Sequence, residues 1–364
     1  MRSLFLYSLV LLSALSCRTV PEEKKKASDI QDRDLNPPKA SPLEKEVVCF
    51  VYHRFGDGRY PSTNISTGAF ETQLKWLVDN KFQVLTFSQA IEYLRSSEAA
   101  RRTAVLTIDD GYKSFYENGL PLLKKYKIPA TLYINTETVG AGDYMNWEQL
   151  ANAAKSGVEI GNHTHTHDYF LNQSASDRYT NFASEIETSQ KLSEQNLGIV
   201  PSSFAYPYGE FDEKMRAIVK TKGFKGAAAQ NSGILTSETD LFQIPRFPMS
   251  DAYAEGFPEK ALMGSFKIRN QPLTPGLVYK SEKKPPLSLT LRTRGIRIDQ
   301  MQCFVQGNNC TLNINKRSSE EIILTIQPTD PIINRRRTLY TLTAQDSLGQ
   351  WRWYSHLWID PNVK

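Results

Sequence analysis

Between Glu46 and about Phe266, short apolar runs alternate with amphipathic stretches, and this alternation limits the possible folds more than any other feature. The spacing predicts strands at 47–52, 104–109, 130–135, 158–162, 202–206, 224–229 and 242–247. It predicts helices at 68–80, 114–127, 146–156, 178–196 and 211–222. In the first of these, Phe70, Leu74, Leu77 and Val78 recur at helical spacing. Alternation of this kind argues for parallel strands with helices outside them, closed as a barrel or left as an open sheet.

Two of the strand ends carry unusual chemistry. Ala104-Val105-Leu106-Thr107-Ile108 reads as a buried strand and runs straight into Asp109-Asp110-Gly111. Val158-Glu159-Ile160-Gly161 leads to His163-Thr164-His165-Thr166-His167, a window holding three of the chain's five histidines. Two adjacent carboxylates at the end of a buried strand are costly to ionise side by side. A dication removes that cost and leaves one carboxylate free to act as a base. Neighbouring strand residues point to opposite faces, so both Asp share a site only if the strand ends there, and Gly111 allows that turn. His163, His165 and His167 share one face if the chain stays extended. If it bends, His163 and His167 are the wider pair and can chelate one ion. Either motif alone has a bland reading, a turn or a polar strand edge. Both together, each after an apolar run, point to a divalent-metal site suited to metal-assisted hydrolysis.

Thr107-Ile108-Asp109-Asp110-Gly111, the histidine run and Phe204-Ala205-Tyr206-Pro207-Tyr208-Gly209 resemble the first three motifs of the polysaccharide deacetylases, the NodB-homology group of carbohydrate esterases. The resemblance covers about residues 46–266. It implies an α/β fold, a distorted (β/α) barrel, with the candidate residues at the face where such barrels place their chemistry. It implies Asp109 as general base and Asp110, His163 and His167 as metal ligands, with His165 at a variable position. Two His and one Asp suit Zn2+ and also accept Co2+ or Ni2+.

This chain departs from the pattern twice. The third motif of the family begins with an Arg that pairs with the catalytic Asp, and here Ala205 stands in that place. Arg246, in Ile244-Pro245-Arg246-Phe247, is the nearest replacement; its alternative is an ordinary solvated Arg. The late Leu-x-x-His that supplies a catalytic acid is missing, which leaves His53 and His356. His53 ends the apolar run Val47–Tyr52, similar to the Tyr-His opening of a permuted subgroup that includes the poly-N-acetylglucosamine deacetylases. His356 lies in Trp353-Tyr354-Ser355-His356-Leu357-Trp358, outside the catalytic region, so His53 is the expected acid. Tyr206, Pro207 and Tyr208 are expected to wall a sugar groove. The implied reaction is hydrolytic removal of acetyl groups from N-acetylglucosamine units of a cell-envelope polysaccharide, either peptidoglycan or poly-N-acetylglucosamine. The alternatives are a catalytically silent glycan-binding or scaffold lipoprotein, and an O-acetyl esterase.

The N-terminus reads as an export signal. Arg2 precedes an apolar run from Leu4 to Leu15, too short for a membrane span. Ala14-Leu15-Ser16-Cys17 resembles a loose bacterial lipobox, which makes Cys17 a lipidation site and gives the chain a membrane anchor; simple cleavage by a general signal peptidase is the alternative. This places the protein in the bacterial periplasm or on the cell surface. Residues 18–45 are charged and Pro-containing and read as a flexible tether. Cys49 falls in a buried strand, and Cys303 and Cys310 suit a hairpin disulfide in an oxidising space. The domain plan is therefore a signal at 1–17, a tether at 18–45, a catalytic domain at 46–266, a linker at 267–286 and an all-β sandwich at 287–364. Strands in the last part are expected at 287–292, 296–305, 311–315, 321–327, 337–344 and 351–359. Trp351, Trp353, Tyr354 and Trp358 are expected to pack, with sugar stacking as the minor reading. A net charge of +5 is mild over 364 residues and does not indicate nucleic-acid binding. Arg335-Arg336-Arg337 is the one sharp basic cluster and reads as a solvated turn.

Overall fold

The computed structural model describes residues 44–278, 282–332 and 335–363. The expected signal, Cys17 and the tether up to residue 43 lie outside the described residues. Among the described residues, no helix is long and apolar enough to cross a membrane.

The first strand, β1 (Glu46–Tyr52), is buried along nearly its whole length because both of its faces are covered. It pairs in parallel with β2 (Thr103–Ile108), bringing Tyr52 beside Ile108. The parallel sheet continues through β3 (Ala130–Ile134), β4 (Val158–Asn162), β5 (Ser203–Ala205) and β6 (Gly226–Ala228). Around it lie α1 (Thr67–Asp79), α2 (Phe87–Arg95), α3 (Leu120–Tyr126), α4 (Trp147–Lys155), α5 (Arg178–Leu197) and α6 (Glu213–Thr221). α1 buries Phe70, Leu74 and Leu77, while Val78 is exposed.

The seventh strand differs from expectation. Residues 242–247 do not form a regular strand. Instead, β7 (Ile234–Thr236) pairs antiparallel with the start of β1, and a two-residue strand, Phe247–Pro248, pairs in parallel with Phe50 and Val51. Ile244 bridges to Ala228 of β6, so the segment 244–248 spans from the last parallel strand to the first. The sheet thereby curls into a distorted barrel. Pro245 and Pro248 account for the irregularity, since neither has an N–H to give a ladder. α2 was not expected from the helical spacing, although its capping box, Thr86 with Gln89, is written in the sequence.

The C-terminal part is a β-sandwich. One sheet orders β8 (Leu287–Arg292), β11 (Glu321–Pro328) and β10 (Cys310–Arg317). The facing sheet holds β9 (Gln302–Val305), β12 (Arg337–Gln345) and β13 (Trp351–Ile359). Leu289, Leu324 and Ile326 from one side meet Tyr340, Leu342 and Ala344 from the other. Cys303 and Cys310 are disulfide-bonded. Residues 264–265 and 276–277 pair with β13, so part of the expected linker is knitted into the second sheet. β13 has two working faces. Tyr354 and Trp358 pack toward the sandwich core, whereas Leu357 and Ile359 join the apolar cluster of Phe170, Phe204 and Phe211 in the barrel.

Candidate active site

Asp109 and Asp110 share one site because the strand ends between them. Asp109 still donates its N–H to the Tyr52 carbonyl at 2.9 Å, as a strand residue would. Asp110 then takes φ 74° and Gly111 φ 78°. The turn thus begins one residue before the glycine, and Asp is among the few residues that tolerate it.

The Asp109 carboxylate is fully buried and held by Arg246, which is also fully buried. Arg246 Nη1 donates to Oδ1 at 2.7 Å and Nη2 to Oδ2 at 2.8 Å. The guanidinium is itself aimed by the Ala229 carbonyl and Thr107 Oγ1, each at 3.0 Å. Two parallel charge-assisted bonds fix the carboxylate in orientation as well as charge. Burial alone would raise the Asp109 carboxyl, but Arg246 and His163 outweigh it and hold the group below its ordinary value.

On the histidine side, β4 delivers the chain into a bend. Gly161 lies flat against Tyr133 of β3; a Cβ there would stand 2.3 Å from the ring. Thr164 has φ 68° and His167 φ 59°. Asn162 Oδ1 accepts from the Thr164 N–H at 2.8 Å, and Thr164 Oγ1 accepts from the His167 N–H at 3.2 Å. Glu185 of α5 accepts from the His165 and Thr166 amides at 3.0 and 2.6 Å and from the Thr166 hydroxyl at 3.0 Å. His163 and His167 therefore turn together while His165 turns away, its Nδ1 lying 2.9 Å from Thr136 Oγ1.

His163 Nδ1 lies 2.8 Å from the Ala205 carbonyl. A carbonyl only accepts, so Nδ1 carries the proton and Nε2 is left with a free lone pair. His163 Nε2 and His167 Nε2 lie 3.1 Å apart, and each is 3.5 Å from Asp110 Oδ1. Four ligands about 2.0–2.1 Å from one ion at tetrahedral angles sit ~3.3 Å from each other. The three atoms form a triangle of that size. This is a one-Asp, two-His donor set with the tautomer of one His already set, and the residues fit a divalent ion. Burial would raise the Asp110 carboxyl; the imidazoles gathered around it, His163 first, hold it below the ordinary range instead. Burial, with the neighbouring His163, lowers His167 to about 4, which keeps it neutral at pH 7.

His53 is half-buried directly after β1. The register that pairs Tyr52 with Ile108 places it beside Asp109. His356 lies elsewhere, on β13 within the C-terminal sandwich, 2% exposed, its ring 5.0 Å from that of Trp358. Of the three residues expected to wall a groove, Tyr206 does not. Its side chain is fully buried, stacked on Phe211 at 3.9 Å, with its hydroxyl donating to the Phe242 carbonyl at 3.1 Å. Strand alternation explains this: β5 sends Tyr206 into the barrel's outer apolar layer. Pro207 is buried too. Tyr208, at φ 58°, turns back over the site and meets the His167 ring at 4.4 Å.

Tyr169, Glu185, Asn162 and the Ala205 carbonyl are the supporting residues that sequence reasoning missed. Two of them, the Ala205 carbonyl and Tyr169, which stacks on Tyr208, act through a backbone group or a ring face, which leave no motif. Of the Arg cluster, Arg335 is exposed as a solvated turn would have it, but Arg336 is not. Arg336 is only 8% exposed and ion-paired to Glu210 at 2.7 Å, because the residues leading into β12 abut the barrel rim.

A barrel of parallel strands with a clamped carboxylate and an Asp–His–His triangle at their carboxyl ends is an arrangement suited to hydrolysis. The family model described as polysaccharide deacetylase matches residues 96–227. The chain is 28% identical over 212 residues to a poly-β-1,6-N-acetyl-D-glucosamine N-deacetylase of Staphylococcus aureus, covering 56% of this chain and 73% of that one. The structure of IcaB from Ammonifex degensii superposes with a TM-score of 0.54 at 26% identity, covering 60% of this chain and 98% of that one. The deacetylase PplD of Streptococcus pyogenes shares the fold, with a TM-score of 0.55 at 20% identity over 60% of this chain and 99% of that one. Residues 96–227 thus form a polysaccharide deacetylase domain, and the chain is similar to enzymes that carry one.

Proposed function

We propose that the chain is an exported, metal-dependent N-deacetylase acting on N-acetylglucosamine units of a cell-envelope polysaccharide. The observation that carries this reading is the Arg246-clamped Asp109 immediately beside the triangle of Asp110, His163 and His167. A divalent cation held by these three residues, most simply Zn2+, would polarise the acetyl carbonyl and lower the pKa of a water bound next to it. Asp109 takes the proton of the attacking water, and the forked bond to Arg246 keeps it ionised and correctly aimed. Water oxygen bonds to the acetyl carbon, the C–N bond breaks, and acetate and a free amine result. His53 gives the departing nitrogen its proton. The backbone N–H at the Tyr208 turn donates to the oxyanion. Tyr208 supplies a sugar-facing wall, while Tyr206 and Pro207 support it from behind. Lipidation at Cys17 would keep the enzyme at a membrane surface.

The test is acetate release from β-1,6-linked N-acetylglucosamine oligomers, peptidoglycan fragments and O-acetylated oligosaccharides, before and after treatment with a chelator. The expected outcome is chelator-sensitive release from an N-acetylated polymer, restored by Zn2+ or Co2+. Release confined to the O-acetyl substrates would overturn the amide assignment. Full activity after verified metal removal would overturn the metal assignment.

A further inference from the structure

The C-terminal sandwich reaches the catalytic rim through Arg336, and all five of its N–H donors are used there. Nε and Nη2 hold the two oxygens of Glu210, each at 2.7 Å. Nη2 also reaches Asn172 Oδ1 at 2.9 Å, and Nη1 reaches the carbonyls of Pro361 and Val363 at 3.2 and 3.0 Å. One guanidinium thus ties the end of the chain to two loops of the barrel, a task its planar fork performs and an ammonium cannot.

From this anchor a packed path runs to the active site. The Arg336 guanidinium lies 4.3 Å from the Tyr169 ring centre. Tyr169 stacks on Tyr208 at 3.7 Å with 4° between the planes. Tyr208 in turn meets His167 at 4.4 Å. Arg337 reinforces the same turn, donating to Glu210 at 3.1 Å and lying 5.4 Å from the Tyr208 ring centre. Tyr208 and Glu210 belong to one turn, and Tyr208 sits there at φ 58°, a conformation that a bulky residue keeps only when its surroundings impose it. Arg336 and Glu210 are 8% and 4% exposed. A buried ion pair contributes little net stability compared with apolar residues of the same volume, so adhesion between domains does not explain this one.

We propose that Arg336 is a positioning residue for the deacetylase site, through which the sandwich sets Glu210, the Tyr169–Tyr208 stack and the ring of His167. The C-terminal domain is on this view part of the catalytic unit. The inference rests on the reading of His167 as a site residue given above.

The experiment compares the full chain with Arg336→Lys and with the double variant Glu210→Gln/Arg336→Met, which removes both buried charges and so protects the fold. Lys283→Ala, which breaks the sandwich's ion pair with Asp360, is the control. Three quantities are measured: amide hydrogen exchange in peptides covering 163–170 and 204–212, the dissociation constant for Co2+, and kcat and KM on an N-acetylglucosamine oligomer. Exchange in both peptides should rise by about tenfold as the turn loosens. Co2+ binding should weaken and kcat fall by ~10–100-fold, with KM little changed. The peptide covering 103–111 and the control should stay at wild-type values. Folded variants with a lowered Tm but wild-type exchange at 163–170 and wild-type kcat would show that Arg336 only joins the domains, and would overturn the proposal. If instead His163→Ala leaves Co2+ binding untouched, the metal-site reading fails, and the exchange arm still decides the role of Arg336.

Discussion

Arg246→Met is the sharpest test of the site. The substitution keeps most of the volume and removes the guanidinium that clamps a fully buried carboxylate. Breaking one side of a buried pair costs about 3–5 kcal/mol, because the remaining charge is left without water or partner. At about 2–4 °C per kcal/mol for a domain of this size, Tm should fall by roughly 6–20 °C. Turnover should fall by ~10²–10⁴-fold, the usual contribution of a general base, since Asp109 loses both its charge state and its orientation. Asp109→Asn/Arg246→Met should recover much of the stability and none of the rate. Ala205→Arg/Arg246→Met goes further. Ala205 shares a buried cluster with Val105, Tyr133 and Ile244, and Arg246 lies 5.7 Å from the Tyr133 ring, so an Arg from β5 enters the space that Arg246 vacates. Part of the rate should return. The assays are thermal unfolding and kcat on a soluble N-acetylglucosamine oligomer. A folded Arg246→Met protein with near-wild-type Tm and kcat would refute the clamp.

Further outcomes follow from the same geometry. His163→Ala or His167→Ala should strip the bound ion and abolish turnover, while His165→Ala keeps both; elemental analysis of the purified variants decides it, and loss confined to His165→Ala would mean the wrong pair was chosen. His53→Ala should lower kcat strongly on an N-acetyl substrate and weakly on an activated O-acetyl ester, whose leaving group needs little help; the selective defect in His356→Ala and not in His53→Ala would remove His53 from the mechanism. His356 bears on acid stability instead. Burial lowers its pKa from 6.5 to about 4, so between those values the unfolded chain binds the extra proton and stability falls as pH falls. His356→Leu should flatten that loss, up to about 1.4 kcal/mol per pH unit, in urea unfolding at pH 7 and pH 5; an unchanged slope would show that His356 does not titrate as a buried group.

Most of the barrel was legible because its signals are local. Strands buried on both faces are continuous apolar runs, and β1 to β4 fall within a residue or so of expectation. The Asp and His motifs were legible because they pack unusual groups into few positions. What escaped notice depends on long-range geometry. Residues 242–247 are apolar enough to read as a strand, yet two prolines and the need to close the barrel turn them into a bridge. Tyr206 was assigned to the groove because its neighbours are site residues; strand alternation sends it the other way. Arg336 was read as solvated because a triple Arg usually is, and its partner Glu210 lies 126 positions away.

The closing segment and the missing third-motif Arg are two sides of one arrangement. In a curled sheet, the interior near the carboxyl ends of the strands is reached from any strand that lines it, so the clamp need not come from β5. Here it comes from the residue between Ile244, which bridges to β6, and Phe247, which pairs with β1. Arg246 is therefore held by the last and first strands at once, and its own N–H donates to the Asn231 carbonyl at 2.8 Å. The strained side of the site is the opposite one. Four of the six non-glycine residues with positive φ among the described residues are Asp110, Thr164, His167 and Tyr208. Such backbone costs of order 1–3 kcal/mol per residue and persists only when over-determined by its surroundings. Glu185, Asn162, the Ala205 carbonyl and the Arg336–Glu210 pair are those surroundings. It follows that the barrel can exchange the source of its clamp between strands, because the clamp is unstrained. The Asp–His–His triangle has no such freedom, and substitutions in its supports should disturb the site more than their distance from it suggests.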